Sequence, residues 1–487
     1  MAQRRLGLRR ALAGRRDPAS GAGQRSRTTR GIGEIHTRTV LDLTIRLAEV
    51  MLSSGSGTAD VVATARDVAQ AYQLTDCVVD VTFTTITVSA PPTADSPPVT
   101  IVRSVSTRAI DYTRLADLDQ LVRRITTGGV SVREAHDAMD ELTEQPHPYP
   151  RWLATAAWAG FALGIAMLMG GTWLTCLVAA VASALIDRIG RLLNKIGTPF
   201  FFQHAAGAAI ATLIAVAVNQ LSGQGLTTLV ATSIVVLLSG LTIVGSMQDA
   251  LTGYMITALA RLGDAVFMTA GIVVGILAAL QIATVAGVDM ELRVDVGQSF
   301  AVANQPLPIA LAVAGAALAG ACLTIASYGP LRSVATAAFA GGLGAAVFIG
   351  LGAAGFGQVI ATGVAAIVVG FFATVISIVR KAPALVTATA GITPLLPGLA
   401  VFRAVFAFAV EKRFDDGLAQ MLAAGAVALA IGSGVVMGEF LGAPLRRAET
   451  PGIRRAVGRV VKLRPAKGAA SGGTRSRSVA LEADDGA

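Results

Sequence analysis

The chain has 487 residues, of which 53% are hydrophobic and only 15% charged, and it carries a formal net charge of +9. Soluble domains hold about a quarter charged residues, so a wholly soluble protein is excluded. Three cysteines (Cys77, Cys176, Cys322) and four histidines lie scattered without ligand spacing, which argues against a disulfide framework, a metal centre or any cofactor built on them.

The first 30 residues hold nine arginines against one acid, Asp17, with no apolar run of the kind a secretory signal needs. They read as a disordered basic arm attracted to anionic lipid, and the lack of interleaved aromatics argues against nucleic acid. Residues 31–150 read as a small α+β domain of order ααββαα. Val40, Leu41, Leu43, Ile45, Leu47, Val50 and Met51 contain helical spacing, and Ser53-Ser54-Gly55-Ser56-Gly57 ends that helix. Thr58 is placed as the N-cap of a second helix, through Tyr72. Residues 78–89 are β-branched and read as one strand, and 99–105 as another. A helix follows over Leu115–Ile125, and Ser131 with Glu134 forms a capping box for the last. No catalytic constellation or phosphate loop appears in this domain, so an enzyme is not expected.

From Trp152 onward the chain is a series of apolar runs, each near the roughly 20 residues that cross a hydrocarbon core. Helices are expected near 152–170, 172–187, 200–219, 226–247 and 264–286, then 306–327, 331–351, 356–379, 384–410 and 417–441. The fold class is thus a polytopic α-helical membrane protein of about ten transmembrane helices. Its parts are a first half over 151–290, a second over 300–442, and a disordered basic tail over 443–487. Spacings such as Gly160-x-x-x-Gly164 and Gly271-x-x-x-Gly275 read as helix packing. Arg188, Arg191, Lys195, Arg261, Arg332, Arg380 and Lys381 fall on one side of these spans, against Arg293, Lys412 and Arg413 on the other. By the positive-inside rule both termini are cytoplasmic and the protein sits in a bacterial plasma membrane.

Two segments 158 positions apart match in character: Leu237-Leu238-Ser239-Gly240-Leu241 and Leu395-Leu396-Pro397-Gly398-Leu399. Each lies in the fourth helix of a five-helix half. Five is odd, so two tandem halves must face opposite ways, an inverted repeat of the kind secondary transporters use. Thr393-Pro394 and Pro397-Gly398 should break their helix, because proline lacks a donor and clashes with the preceding turn. Such a break is either a simple kink or a place where backbone groups hold a substrate; its recurrence in both halves favours the substrate. Candidate binding residues are Ser239, Gly240, Thr242, Thr393, Pro394, Pro397 and Gly398. The charged neighbours Asp249 and Arg403 join them because charge within a membrane span is costly. Arg261 with Asp264 reads as a structural i,i+3 pair. No Walker-type sequence occurs, so an ion or substrate gradient would supply the energy, with the proton as the candidate ion.

These residues carry a resemblance. The Ser-Gly-Ser-Gly-Thr58 turn, Thr198-Pro199-Phe200-Phe201, Ser239-Gly240 with Asp249 and Leu259-Ala260-Arg261, and Pro394 with Leu396-Pro397-Gly398 and Arg403 together resemble the bacterial threonine/serine exporters over roughly residues 35–442. The resemblance implies proton-driven export of small hydroxy amino acids, with membrane lipid as surroundings and a homo-oligomer allowed. Relatives with the halves on separate chains imply small dicarboxylates such as succinate as the alternative substrate. A membrane-anchored enzyme or regulator acting through the N-terminal domain is the alternative from another class. The chain departs from the family in having Ser239 where proline is usual, and Ala59-Asp60-Val61 where an Arg-Val-Glu-like triplet is usual.

Overall fold

The helix that opens the N-terminal domain is apolar on most sides in its last turns. Val40, Leu41, Leu43, Ile45, Leu47 and Ala48 are all fully buried, and each apolar side of a helix must be covered. In the computed structural model, which describes residues 18–92, 96–105, 110–288, 306–380, 383–408 and 412–448, this helix, α1 (Pro18–Ser53), is the middle layer of the domain. One side packs Val40, Leu41 and Ile45 on α2 (Thr58–Ala71) and on the sheet. The other packs Leu43 and Leu47 on α3 (Tyr112–Thr126) and α4 (Val132–Glu144). Arg103 ties the sheet to α1 through Asp42 (3.1 Å) and Glu49 (3.0 Å).

Helix α1 begins at Pro18, and residues 1–17 of the expected basic arm lie outside the described residues. Two expectations for this part are corrected. The single strand expected over 78–89 is a hairpin of β1 (Val78–Thr82) and β2 (Thr85–Ala90), with β3 (Val99–Ser104) completing an antiparallel meander. Its two-residue turn is Phe83-Thr84, with Phe83 at φ +56°, and no Gly, Asn or Asp marks it. Thr58 is not a cap: Gly57 holds the N-cap position and Thr58 opens α2, freeing its N–H for a partner elsewhere. The Ser131–Glu134 capping box is present, with both reciprocal bonds.

Helices occupy the expected apolar segments in order, but the fourth segment of each half is divided in two, so ten continuous helices are not found among the described residues. The first half holds α5 (Arg151–Leu168), α6 (Trp173–Lys195), α7 (Phe200–Ser222), α8 (Leu226–Ser233), α9 (Gly240–Leu251) and α10 (Met255–Val285). The second holds α11 (Pro306–Ala326), α12 (Leu331–Ala353), α13 (Gln358–Arg380), α14 (Ala384–Ile392), α15 (Gly398–Phe406) and α16 (Phe414–Ala448). Among the described residues seven helices are long and apolar enough to span a bilayer, or eight if the bent α14–α15 pair counts as one. The total falls below ten partly because the fourth segment of the first half splits into α8 and α9, each too short to cross alone. Helix α6 carries Asp187, Arg188, Arg191 and Lys195 in its second half, yet exposes Leu177, Val181 and Leu185 in a stripe that hydrocarbon would cover. Helix α16 extends past 442, and the tail from 449, like Arg293 and Lys381, lies outside the described residues.

Small residues set the packing, as expected. A Cβ on Gly164 would stand 2.5 Å from the Gly315 carbonyl, and one on Gly315 2.6 Å from that of Gly164, so α5 and α11 cross at backbone contact. Gly271 meets the Phe201 carbonyl in the same way where α10 packs on α7. The corresponding pair of the second half, α13 and α16, packs together too, while α9 also reaches α16 and α15 reaches α10. The soluble domain sits directly on this bundle. Tyr112 and Thr113 donate their N–H groups to the Ser327 (3.0 Å) and Tyr328 (3.2 Å) carbonyls, Phe83 N–H donates to Thr257 Oγ1 (3.0 Å), and the His147 ring stacks on Tyr328.

Candidate translocation site

Both fourth segments break, and they break alike. Helix α8 passes through Ile234 (φ −87°, ψ −3°) into a 3-10 turn over Val235–Leu237. Leu238 is then extended (φ −69°, ψ 127°), Ser239 bends (φ −81°, ψ 28°), and α9 starts at Gly240. Helix α14 passes through Ile392 (φ −85°, ψ −15°) into a 3-10 turn over Thr393–Leu395. Leu396 is extended (φ −61°, ψ 135°), Pro397 bends (φ −80°, ψ 13°), and α15 starts at Gly398. In the second half Pro394 and Pro397 account for the break through their missing donors. Ser239 reaches the same conformation without a proline, its hydroxyl 3.4 Å from the Ala265 carbonyl on α10. The departure from the family pattern therefore leaves the break intact.

The two breaks lie against each other. A Cβ on Gly240 would stand 2.9 Å from Leu396 Cβ, and one on Gly398 2.8 Å from Leu238 Cβ, so the extended leucine of each break covers the glycine of the other. Only glycine permits that approach. The first N–H groups of a helix have no intrahelical partner and carry its positive dipole end. Here the starts of α9 and α15 meet, with the Gly398 nitrogen 3.5 Å from the Cβ position of Gly240.

Three cavities string through this crossing. An apolar one of about 120 Å³ lies at the breaks, lined by Gly240, Thr393, Pro394 and Gly398 together with Trp158 and Phe161. It shares Leu168 and Pro394 with a larger space of about 370 Å³ lined by Phe348, Gly352, Phe356 and Gln358. It shares Leu241 with a space of about 160 Å³ under the soluble domain, walled by Thr242, Gln248, Arg261 and Thr389 among apolar residues such as Leu52 and Leu385, and roofed by Ser53-Ser54-Gly55 and Tyr112. One water needs roughly 10–15 Å³ of such space, so each cavity exceeds a single water. Burial pushes the Tyr112 hydroxyl up to about 12, against the lowering effect of a hydrogen bond with Thr389.

The expected site residues separate into groups. Gly240, Thr242, Thr393, Pro394 and Gly398 line the cavities; Ser239 and Pro397 shape the breaks behind them. The Thr393 hydroxyl donates to the Thr389 carbonyl (2.7 Å), which leaves Thr242 as the better placed hydroxyl. Asp249 is fully buried and lines none of the three cavities: Oδ1 accepts from Thr58 N–H at 2.9 Å and Oδ2 lies 2.8 Å from Arg261 Nη1. Arg261, read from spacing as an i,i+3 partner of Asp264, pairs with Asp249, because α10 begins at Met255 and carries Arg261 alongside α9. Arg403 is half-buried on α15, one to two turns beyond the break, and borders none of these spaces. Tyr112, Gln248, Gln358 and Thr389 are polar lining residues that spacing does not place at the site, and Arg261 reads from spacing only as a structural pair. Tyr112 comes from the soluble domain, and no local pattern could have placed it there.

Broken helices that meet among cavities within an apolar bundle mark the class: a membrane protein of the transporter type. Comparisons with known proteins narrow it. Residues 42–283 match the family described as "Putative threonine/serine exporter", and residues 312–441 the family described as "Threonine/Serine exporter, ThrE". The chain is 69% identical, over 99% of its length and 94% of the relative's, to a "Probable threonine/serine exporter" of Mycobacterium tuberculosis. It is 33% identical to a "Threonine/serine exporter" of Corynebacterium glutamicum over 84% of this chain and 83% of that one. The chain belongs to the threonine/serine exporter family. No solved structure matches it.

Proposed function

We propose that this chain exports threonine, serine or similar small hydroxy amino acids across the bacterial plasma membrane, driven by the proton gradient, with both termini cytoplasmic. The observation that carries the reading is the reciprocal crossing of the two breaks between a cavity under the soluble domain and a wider cavity beyond. Matching backbone angles at corresponding positions, together with the swapped packing of α9 on α16 and α15 on α10, support two halves of inverted topology. The substrate carboxylate would meet the converging helix starts at Gly240 and Gly398. Thr242 would recognise the hydroxyl, Ser239, Thr393, Pro394 and Pro397 would hold the breaks open, and Arg403 and Asp249 would set the local charge. The mostly neutral cavity walls do not favour a dicarboxylate.

The test is efflux from cells preloaded with a threonine-containing dipeptide, with and without the gene and with a protonophore. Threonine efflux should rise with expression, collapse with the protonophore, and be abolished by Arg403→Ala while the protein stays in the membrane. Unchanged efflux at verified membrane expression would remove the assignment. Efflux that survives the protonophore would remove the proton.

A further inference from the structure

The cavity at the crossing has walls of one chemistry. Trp158, Phe161 and Ile165 reach it from one stripe of α5 and Met169 from the C-cap of that helix, at the spacing of a single helix face. Val235 and Val236 reach it from the first-half 3-10 turn, on which α5 packs. The Trp158 and Phe161 rings stand edge to face, 5.7 Å apart at 85°, an arrangement that aromatic pairs favour. This wall is fixed in place. Ser183 on α6 donates to the Trp158 carbonyl (2.8 Å), and the Gly164–Gly315 contact sets α5 against α11 about one turn beyond Phe161. Among the described residues lining the cavity none is charged, and Thr393 brings the one hydroxyl. That hydroxyl already donates to the Thr389 carbonyl, so only its acceptor capacity is left. The volume of about 120 Å³, at roughly 10–15 Å³ per water-sized group, has room for a small amino acid. A carboxylate at the Gly240 and Gly398 helix starts, which line the same cavity, puts the substrate's side chain within reach of these walls.

We propose that this cavity is the side-chain pocket of the exporter and that Trp158 and Phe161 set its specificity, reading the methyl of threonine by apolar contact. The β-carbon of threonine carries both groups, so the hydroxyl can turn past Leu241 toward Thr242 while the methyl packs on the aromatic pair. Serine fills the same place and leaves the methyl's share of the pocket empty, forfeiting its contacts. Side chains bearing a carboxylate or an ammonium are rejected, because their charge would enter uncharged walls without a partner. The proposal rests on the exporter reading above and adds to it a ranking of substrates and the residues that impose it.

The test uses the purified full chain in proteoliposomes of phosphatidylethanolamine and phosphatidylglycerol. Counterflow of labelled L-threonine is competed with L-threonine, L-serine, L-2-aminobutyrate, L-alanine and L-leucine. Threonine differs from serine, and 2-aminobutyrate from alanine, by a single methyl. In wild type the larger member of each pair should half-inhibit at a concentration lower by about fourfold or more, the ratio that burying one methyl gives. Phe161→Leu opens the wall and should let leucine compete better against threonine by a similar factor. Trp158→Phe, at a less buried position, should do the same. A gained ligand cannot arise from a loss of folding, and the wild-type ratios stand without either variant. Threonine and serine competing equally, or an advantage of threonine that 2-aminobutyrate does not show over alanine, would overturn the pocket and leave export intact. So would leucine that gains nothing in variants that still transport. If neither threonine nor serine drives counterflow in wild type, the exporter reading fails and the pocket with it.

Discussion

Thr58 holds the soluble domain to the membrane bundle through its backbone, and that makes the contact separable from its side chain. Its N–H reaches a fully buried carboxylate, Asp249, at 2.9 Å, while its hydroxyl is buried without a hydrogen-bond partner among the described residues. Thr58→Pro deletes the donor and little else. Proline is well tolerated at the first position of a helix, and the preceding Gly57, at φ −62°, ψ 147°, already has the backbone that a residue before proline adopts. A hydrogen bond to a charged group is worth about 1.5–3 kcal/mol, so docking should weaken roughly ten- to a hundredfold. The reporters are amides that the docked interface protects: Tyr112 and Thr113 on the Ser327 and Tyr328 carbonyls, and Phe83 on Thr257. In Thr58→Pro their hydrogen exchange should speed up by that factor, the local opening free energy having fallen by the same amount. Thr58→Ala, which keeps the N–H and removes only the unpartnered hydroxyl, should leave it unchanged. Equal protection in wild type and Thr58→Pro, or equal loss in both variants, would refute the account of Asp249 as the dock.

Gly240→Ala should abolish threonine efflux, since its Cβ lands 2.9 Å from Leu396 Cβ and such overpacking costs about 1–3 kcal/mol. Because the clashing atom is a Cβ, adding Leu396→Ala should not restore efflux, whereas adding Leu396→Gly should; the reverse order would show that the clash is not the cause. The capping bonds from Ser131 hold the Glu134 carboxyl below its ordinary value of 4.5. A depressed acid stabilises the folded domain above its unfolded value and loses that contribution as pH falls through the folded one. The unfolding temperatures of wild type and Glu134→Gln should therefore differ at neutral pH and converge in acid; a constant difference would contradict the capping role.

The apolar run lengths alone marked where the membrane part of the chain is helical, though not how many spans it makes. Pro394 and Pro397 marked the second break, because missing donors and ring clashes are local properties of the residues. The Ser131–Glu134 box was legible for the same reason: its partners are three residues apart. The hairpin at Phe83-Thr84 was not, since its turn lacks the glycine or asparagine that relieves positive φ and is held by strand pairing instead. The first-half break shows the divide best. Ser239-Gly240 is a weak breaker by itself, and Leu396 and Gly398 of the other half lie against it. Asp249 was visible as a charge near a membrane span, but its partners Thr58 and Arg261 come from a different domain and a different helix. Local steric and hydrogen-bond preferences set where this chain is helical. Which polar groups face a cavity, and which are consumed holding the soluble domain in place, depends on contacts between distant segments that only the folded chain brings together.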